Sequence, residues 1–206
     1  LVFLFAGTVI LVAVFFKFAS NYRDSRFRIT DLSVLTLLVI LSYLMDFYVS
    51  SGMVQQVKAP FPEVALAVFF IIQCATFAAF CWHIADLTGG IQARQTEILT
   101  IAALPFTANA ILLLTNIQTH AVFTLDASAP SAANGSLSYI PVICMAFYSI
   151  LAAAIALVRR QSIRSSYTLS AILFAVITLV ALGVEYANPS MRVVTFTLAL
   201  GLGLMV

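Results

Sequence analysis

Few side chains in this 206-residue chain could do chemistry. Seven polar ones fall inside, or at the ends of, long apolar runs: Asp46, Asn109, Asn116, His120, Tyr139, Tyr148 and Glu185. Carboxylates can hold a cation or share a proton, while amide and phenol groups can hydrogen-bond a neutral ligand. An ionisable group at membrane depth is costly, so each one is a candidate for function. Asp46 and Glu185 sit in the last turns of their apolar runs. A carboxylate there meets the unfavourable end of the helix dipole, so helix stability does not explain either. Most of the seven fall toward one side, and the expectation is an outward-facing cup that takes a small or lipid-like ligand. The plain alternatives stand beside it. Asp46 and Glu185 read equally as carboxylates in interfacial water, Asn116 and His120 as solvated loop residues, and Tyr139 and Tyr43 as an aromatic belt. Gln73 and Asn109 read as hydrogen-bond partners between helices.

Other chemistries lack their residues. Cys74, Cys81 and Cys144 lie in apolar runs without a CxxC pair, which reads as buried small apolar side chains rather than a metal or redox site. His83 and His120, the two histidines, belong to opposite membrane faces and cannot share a metal ion. A retinal Schiff base needs a lysine in the last span, and Lys17 and Lys58 are both near or in loops. No serine–histidine or paired-aspartate arrangement falls at a common depth. The expectation is no catalytic residue, no metal and no cofactor within residues 1–206.

The elements that must position these groups follow from composition. The chain is 63% hydrophobic and 9% charged, with a mean hydropathy of +1.09. Soluble domains carry about 25% charged residues, and a net charge of +2 is too small for nucleic-acid binding. A bilayer core takes roughly 20 apolar residues per helix, and seven stretches qualify: 1–19, 32–50, 63–85, 97–115, 138–158, 167–184 and 191–206. The expected fold is therefore all-α, a polytopic membrane protein of seven transmembrane helices. Lys17, Arg23, Arg26, Arg28, Arg94, Arg159, Arg160 and Arg164 fall in three loops on one side, against Lys58 and Arg192 on the other. Basic loops stay cytoplasmic, which puts the N-terminus outside and the C-terminus inside a cell inner membrane. Pro62 and Pro141 open spans three and five, where a missing N–H costs little. Pro105 falls inside span four and is expected to kink it or free a carbonyl. Residues 116–135 read as the longest outer loop. Leu1 in place of Met, and Val206 inside an apolar run, lead to the expectation of a cytoplasmic output domain after residue 206.

Three stretches carry a resemblance. ALPFTANAILLLTNIQTH (103–120), with its internal proline and polar outer end, is similar to the fourth span of bacterial seven-helix sensor regions. GSLSYIPVICMAFYSILAAAIALVRRQ (135–161) resembles their fifth span and basic inner loop, and LSYLMDFYVSSG (41–52) resembles their second. Such regions precede a diguanylate cyclase (GGDEF) or histidine kinase domain in bacterial signalling proteins. The resemblance implies a membrane signal-transduction sensor whose ligand acts through span seven on that output domain, with the cyclase favoured and the kinase second. It also implies a homodimer, for which Gly201 and Gly203 in span seven offer close helix contact. Two other classes stay open: a small-molecule transporter, which should show inverted repeats and paired broken helices, and a structural membrane subunit without a ligand.

Overall fold

The computed structural model describes residues 26–50, 61–87, 95–124, 133–161, 165–188 and 193–205. In chain order these are α1 (Arg26–Ser50), α2 (Phe61–Leu87), α3 (Gln95–Thr119), β1 (Phe123–Thr124), β2 (Ala133–Asn134), α4 (Tyr139–Val158), α5 (Ser165–Ala187) and α6 (Val194–Met205). The architecture is helical, as expected. The six helices follow spans two to seven, and span one lies outside the described residues. Seven crossings were expected, yet three helices among the described residues are long and apolar enough to cross a bilayer: α2, α4 and residues Tyr167–Ala187 of α5. Ser33–Val49 and Val194–Leu204 are shorter apolar segments.

Local sequence explains the ends. Pro62 and Pro141 both sit in the first turn of their helices, where no intrahelical donor is lost. Pro105 does not break α3, which runs on to Thr119. That helix stops where His120 takes a left-handed φ of 51°, a conformation that ends a helix by turning the chain away from its axis. The turn feeds β1, which pairs antiparallel with β2 (Phe123 opposite Asn134, Thr124 opposite Ala133). The expected plain loop after span four is thus a folded ribbon. Gly135 closes it by donating to the Val122 carbonyl at 2.8 Å. A Cβ there would strike the Ala121 carbonyl, so only glycine fits.

Polarity is reversed relative to a soluble domain. Val34, Leu37, Leu44 and Phe47 on α1, Ile111 and Leu114 on α3, and Val176 and Val180 on α5 are exposed. Ser42, Asp46, Gln73, Thr76, Asn109, Asn116 and Thr178 are buried. Apolar side chains facing out over several helices, with polar groups inside, suit hydrocarbon as the solvent.

The helix at the centre is α2. Fifty-six per cent of its most apolar stretch is buried, against 39% and 33% for those of α4 and α5. It packs against α1, α3 and α4 and also touches α6; α5 packs between α4 and α6, and α6 reaches back to α1. Side chains leave a helix at about 100° per residue, so successive residues of α2 address different neighbours. Gln73 reaches α6, Cys74 reaches α4, and Thr76 reaches α1. Phe77 and Phe80 meet Phe174 of α5, with ring centroids 5.8 and 3.9 Å apart. About two turns of α2 therefore contact four other helices.

Candidate functional site

The seven residues expected to line one cup are divided among four places in the fold. The first is the ribbon at the end of α3. Asn116 is fully buried there, and its side-chain oxygen accepts the N–H groups of Val122 (2.6 Å) and Phe123 (3.3 Å). Its amide nitrogen donates to the Phe123 carbonyl at 3.0 Å. Both ends of the side chain hold the ribbon. His120 is exposed, with Nδ1 3.7 Å from the Glu63 carboxylate at the start of α2. Tyr139 is exposed at the first position of α4.

The second place is the face between α1 and α2. Leu35, Val39, Ser42, Tyr43 and Asp46 are buried in steps of three and four residues, which is one side of a helix. Asp46 is fully buried beside Tyr43, so it faces the bundle and not interfacial water. Tyr43, read as a belt residue, is buried too. Ser42 and Thr76 bridge the two helices, hydroxyl to hydroxyl, at 3.3 Å.

The third place is the start of α6. Glu185, near the end of α5, accepts the N–H groups of Val193 (3.0 Å) and Val194 (2.9 Å) through one carboxylate oxygen. A carboxylate at a helix N-terminus satisfies orphan donors and meets the favourable end of the dipole. The position is unfavourable for α5 and favourable for α6, which only the packing of the two helices reveals.

The fourth place holds the chemistry that is not absorbed by folding. Cys74 on α2 and Cys144 on α4 approach to 2.9 Å between sulfurs, and both are buried. Beside Cys74 lies Asn109 of α3. Asn109 is 1% exposed, and among the described residues the partner within its reach is the Cys74 sulfur, a weak acceptor that leaves the rest of the amide unsatisfied. Leaving such a group unsatisfied costs about 1–3 kcal/mol. Tyr148, buried one turn beyond Cys144, neighbours both thiols and accepts the Phe106 N–H at 3.2 Å. That N–H belongs to the residue after Pro105, so α4 supplies a partner where the proline disturbs α3.

Sequence reasoning named Asn109 and Tyr148 and missed the thiol pair. Cys74 and Cys144 are 70 residues apart on different helices, and nothing in their local sequence pairs them. Gln73, read as a partner between helices, is one: its Nε2 donates to Thr195 Oγ1 of α6 at 3.2 Å. Asn109, read the same way, lies against the Cys74 sulfur of α2. His83 is buried. Gly201 is not free for a dimer seam, since a Cβ there would collide with the Phe174 ring of α5. Among the described residues no group of three or more His, Cys, Asp or Glu side chains is placed to hold a metal ion. No protein-family model, curated protein or solved structure matches the chain.

Proposed function

We propose that this chain is the membrane sensor region of a bacterial signalling protein. In this reading it crosses the inner membrane seven times, with the N-terminus outside and the C-terminus in the cytoplasm. A small or lipid-like ligand occupies the junction of α2, α3 and α4, where it satisfies Asn109 and lies against Tyr148. The response leaves through α6 to a cytoplasmic output domain, a diguanylate cyclase ahead of a histidine kinase, working as a homodimer.

The observation that carries the reading is the adjacency of Gln73 and Cys74. Cys74 faces the junction, and the next residue back, Gln73, holds Thr195 of the last helix. A rotation of α2 that accommodates a ligand at the junction must therefore move the contact with α6. The ligand biases two arrangements only through its different affinity for each. Ser170 Oγ to the Leu204 carbonyl, 3.0 Å, and the Phe174–Gly201 contact tie α6 to α5 as well, so α6 moves with the bundle.

The test is a reporter output domain fused after residue 206 and assayed in cells, with Asn109→Leu and Gln73→Leu variants. Asn109→Leu should fix the output at one level regardless of growth condition, and Gln73→Leu should weaken the response. Native output from both variants, with normal membrane levels, would refute the sensory reading. The same fusions report topology, since a cytoplasm-dependent reporter works only if the C-terminus is inside.

A further inference from the structure

We infer that Cys74 and Cys144 form a redox pair that closes to a disulfide by passing two electrons and two protons to a quinone dissolved in the membrane. Two independent features meet at this point. The first is the thiol pair itself. Its sulfurs are 2.9 Å apart, about 0.9 Å beyond a disulfide bond, so closure asks for a small rotamer adjustment and no helix movement of consequence. The second is Asn109, a buried amide whose partner among the described residues is only the weakly accepting Cys74 sulfur. Its N–H group is a donor that a carbonyl ligand would satisfy.

The surroundings select the oxidant. Cys74 is the middle residue of α2, 13 residues from Phe61 and from Leu87, or ~20 Å from either end at the rise of an α-helix. Cys74 is fully buried and Cys144 is 5% exposed. Water-borne disulfides and redox proteins exchange only with sulfurs that they can touch, and these are out of reach. A quinone dissolves in hydrocarbon and accepts two electrons with two protons. Its carbonyls accept hydrogen bonds, and Asn109 supplies a donor for one of them. Ile143 and Phe147, exposed on α4 beside Cys144 and Tyr148, border the approach from the lipid.

A shared metal ion is the competing use of two thiols. Two sulfurs on one tetrahedral zinc would stand about 3.8 Å apart and need two further ligands. No third His, Cys, Asp or Glu converges on them among the described residues. In the reaction proposed, both S–H bonds break and one S–S bond forms. The two electrons and two protons reduce the quinone to its quinol, with no water consumed. The pair shares its junction with the proposed sensor site, but its chemistry does not depend on signalling. Thiols and quinone are counted directly, while the sensory reading is judged by reporter output, so each fails separately.

The experiment uses the purified chain, fully reduced, in lipid nanodiscs loaded with decylubiquinone under anaerobic conditions. Loss of the quinone absorbance should reach one quinol per chain. Alkylation after denaturation should then find one reactive thiol in place of three, assigned to Cys81 by peptide mass spectrometry, with all three restored by a reductant. Cys81→Ser should behave as the native chain, and Cys74→Ser and Cys144→Ser should each abolish quinol formation. Asn109→Leu should slow it about five- to tenfold, the weight of one hydrogen bond. The native chain needs no substitution to decide the matter. Three reactive thiols after quinone treatment, or oxidation that involves Cys81 or a second copy of the chain, would overturn the inference. So would closure by aqueous diamide without closure by the quinone.

Discussion

Gly201→Ala tests the packing that joins α6 to the rest of the bundle. The added methyl group points into the Phe174 ring, which is 1% exposed. The ring cannot retreat, because Phe77 and Phe80 of α2 stand against it with centroids 5.8 and 3.9 Å away. Overpacking of this kind costs about 1–3 kcal/mol. Alanine favours the helix by about 1 kcal/mol over glycine, which offsets part of the clash. Transfer from water adds nothing, since helices separated within a bilayer remain in apolar surroundings. A net loss of about 0–2 kcal/mol follows, and its cause is separable in two ways. Gly203, two residues on, is exposed, so Gly203→Ala should be neutral or stabilise by up to about 1 kcal/mol. Phe174→Leu removes the ring that Gly201→Ala strikes, and the double variant should be more stable than the sum of the singles by about 0.5–3 kcal/mol. Equilibrium unfolding in mixed micelles, followed by circular dichroism, reads all four proteins. Additivity within about 0.5 kcal/mol, or equal effects at positions 201 and 203, would refute the contact.

Asn116→Ala removes three hydrogen bonds to the ribbon and should cost about 2–4 kcal/mol, with faster hydrogen exchange at the Val122 and Phe123 amides as the specific sign. Asn116→Asp keeps the acceptor for both N–H groups and should lose less. Gln73→Leu or Thr195→Val alone leaves a buried partner without its bond and should cost about 1 kcal/mol, while the double variant should recover most of that in unfolding measurements. Glu185→Gln keeps an acceptor for Val193 and Val194 but removes the charge at the start of α6, and should cost about 0.3–1 kcal/mol. Exchange should rise in the first turn of α6 and stay unchanged in α1; a larger change around Asp46 than around Val194 would argue against the cap.

Composition and period determined the helical class, because lipid as solvent demands long apolar helices whose backbones satisfy themselves. Helix starts at Pro62 and Pro141 were legible for a local reason, the missing N–H of proline. The burial of cysteine side chains was legible too, from their apolar surroundings. What each polar side chain does was not, since hydropathy gives depth along a helix and says nothing of direction around it. Asp46 and Glu185 look alike in sequence, each in the last turns of an apolar run. Packing turns Asp46 into the bundle and sets Glu185 against the start of a different helix. Asn116 and Asn109 are seven residues apart on one helix; the ribbon takes up the first, and the junction sets the second against the Cys74 sulfur. The meeting of Cys74 with Cys144 depends on α4 crossing α2 at one height. That height is set by the whole interlocked surface of the two helices, and no local pattern of residues encodes it.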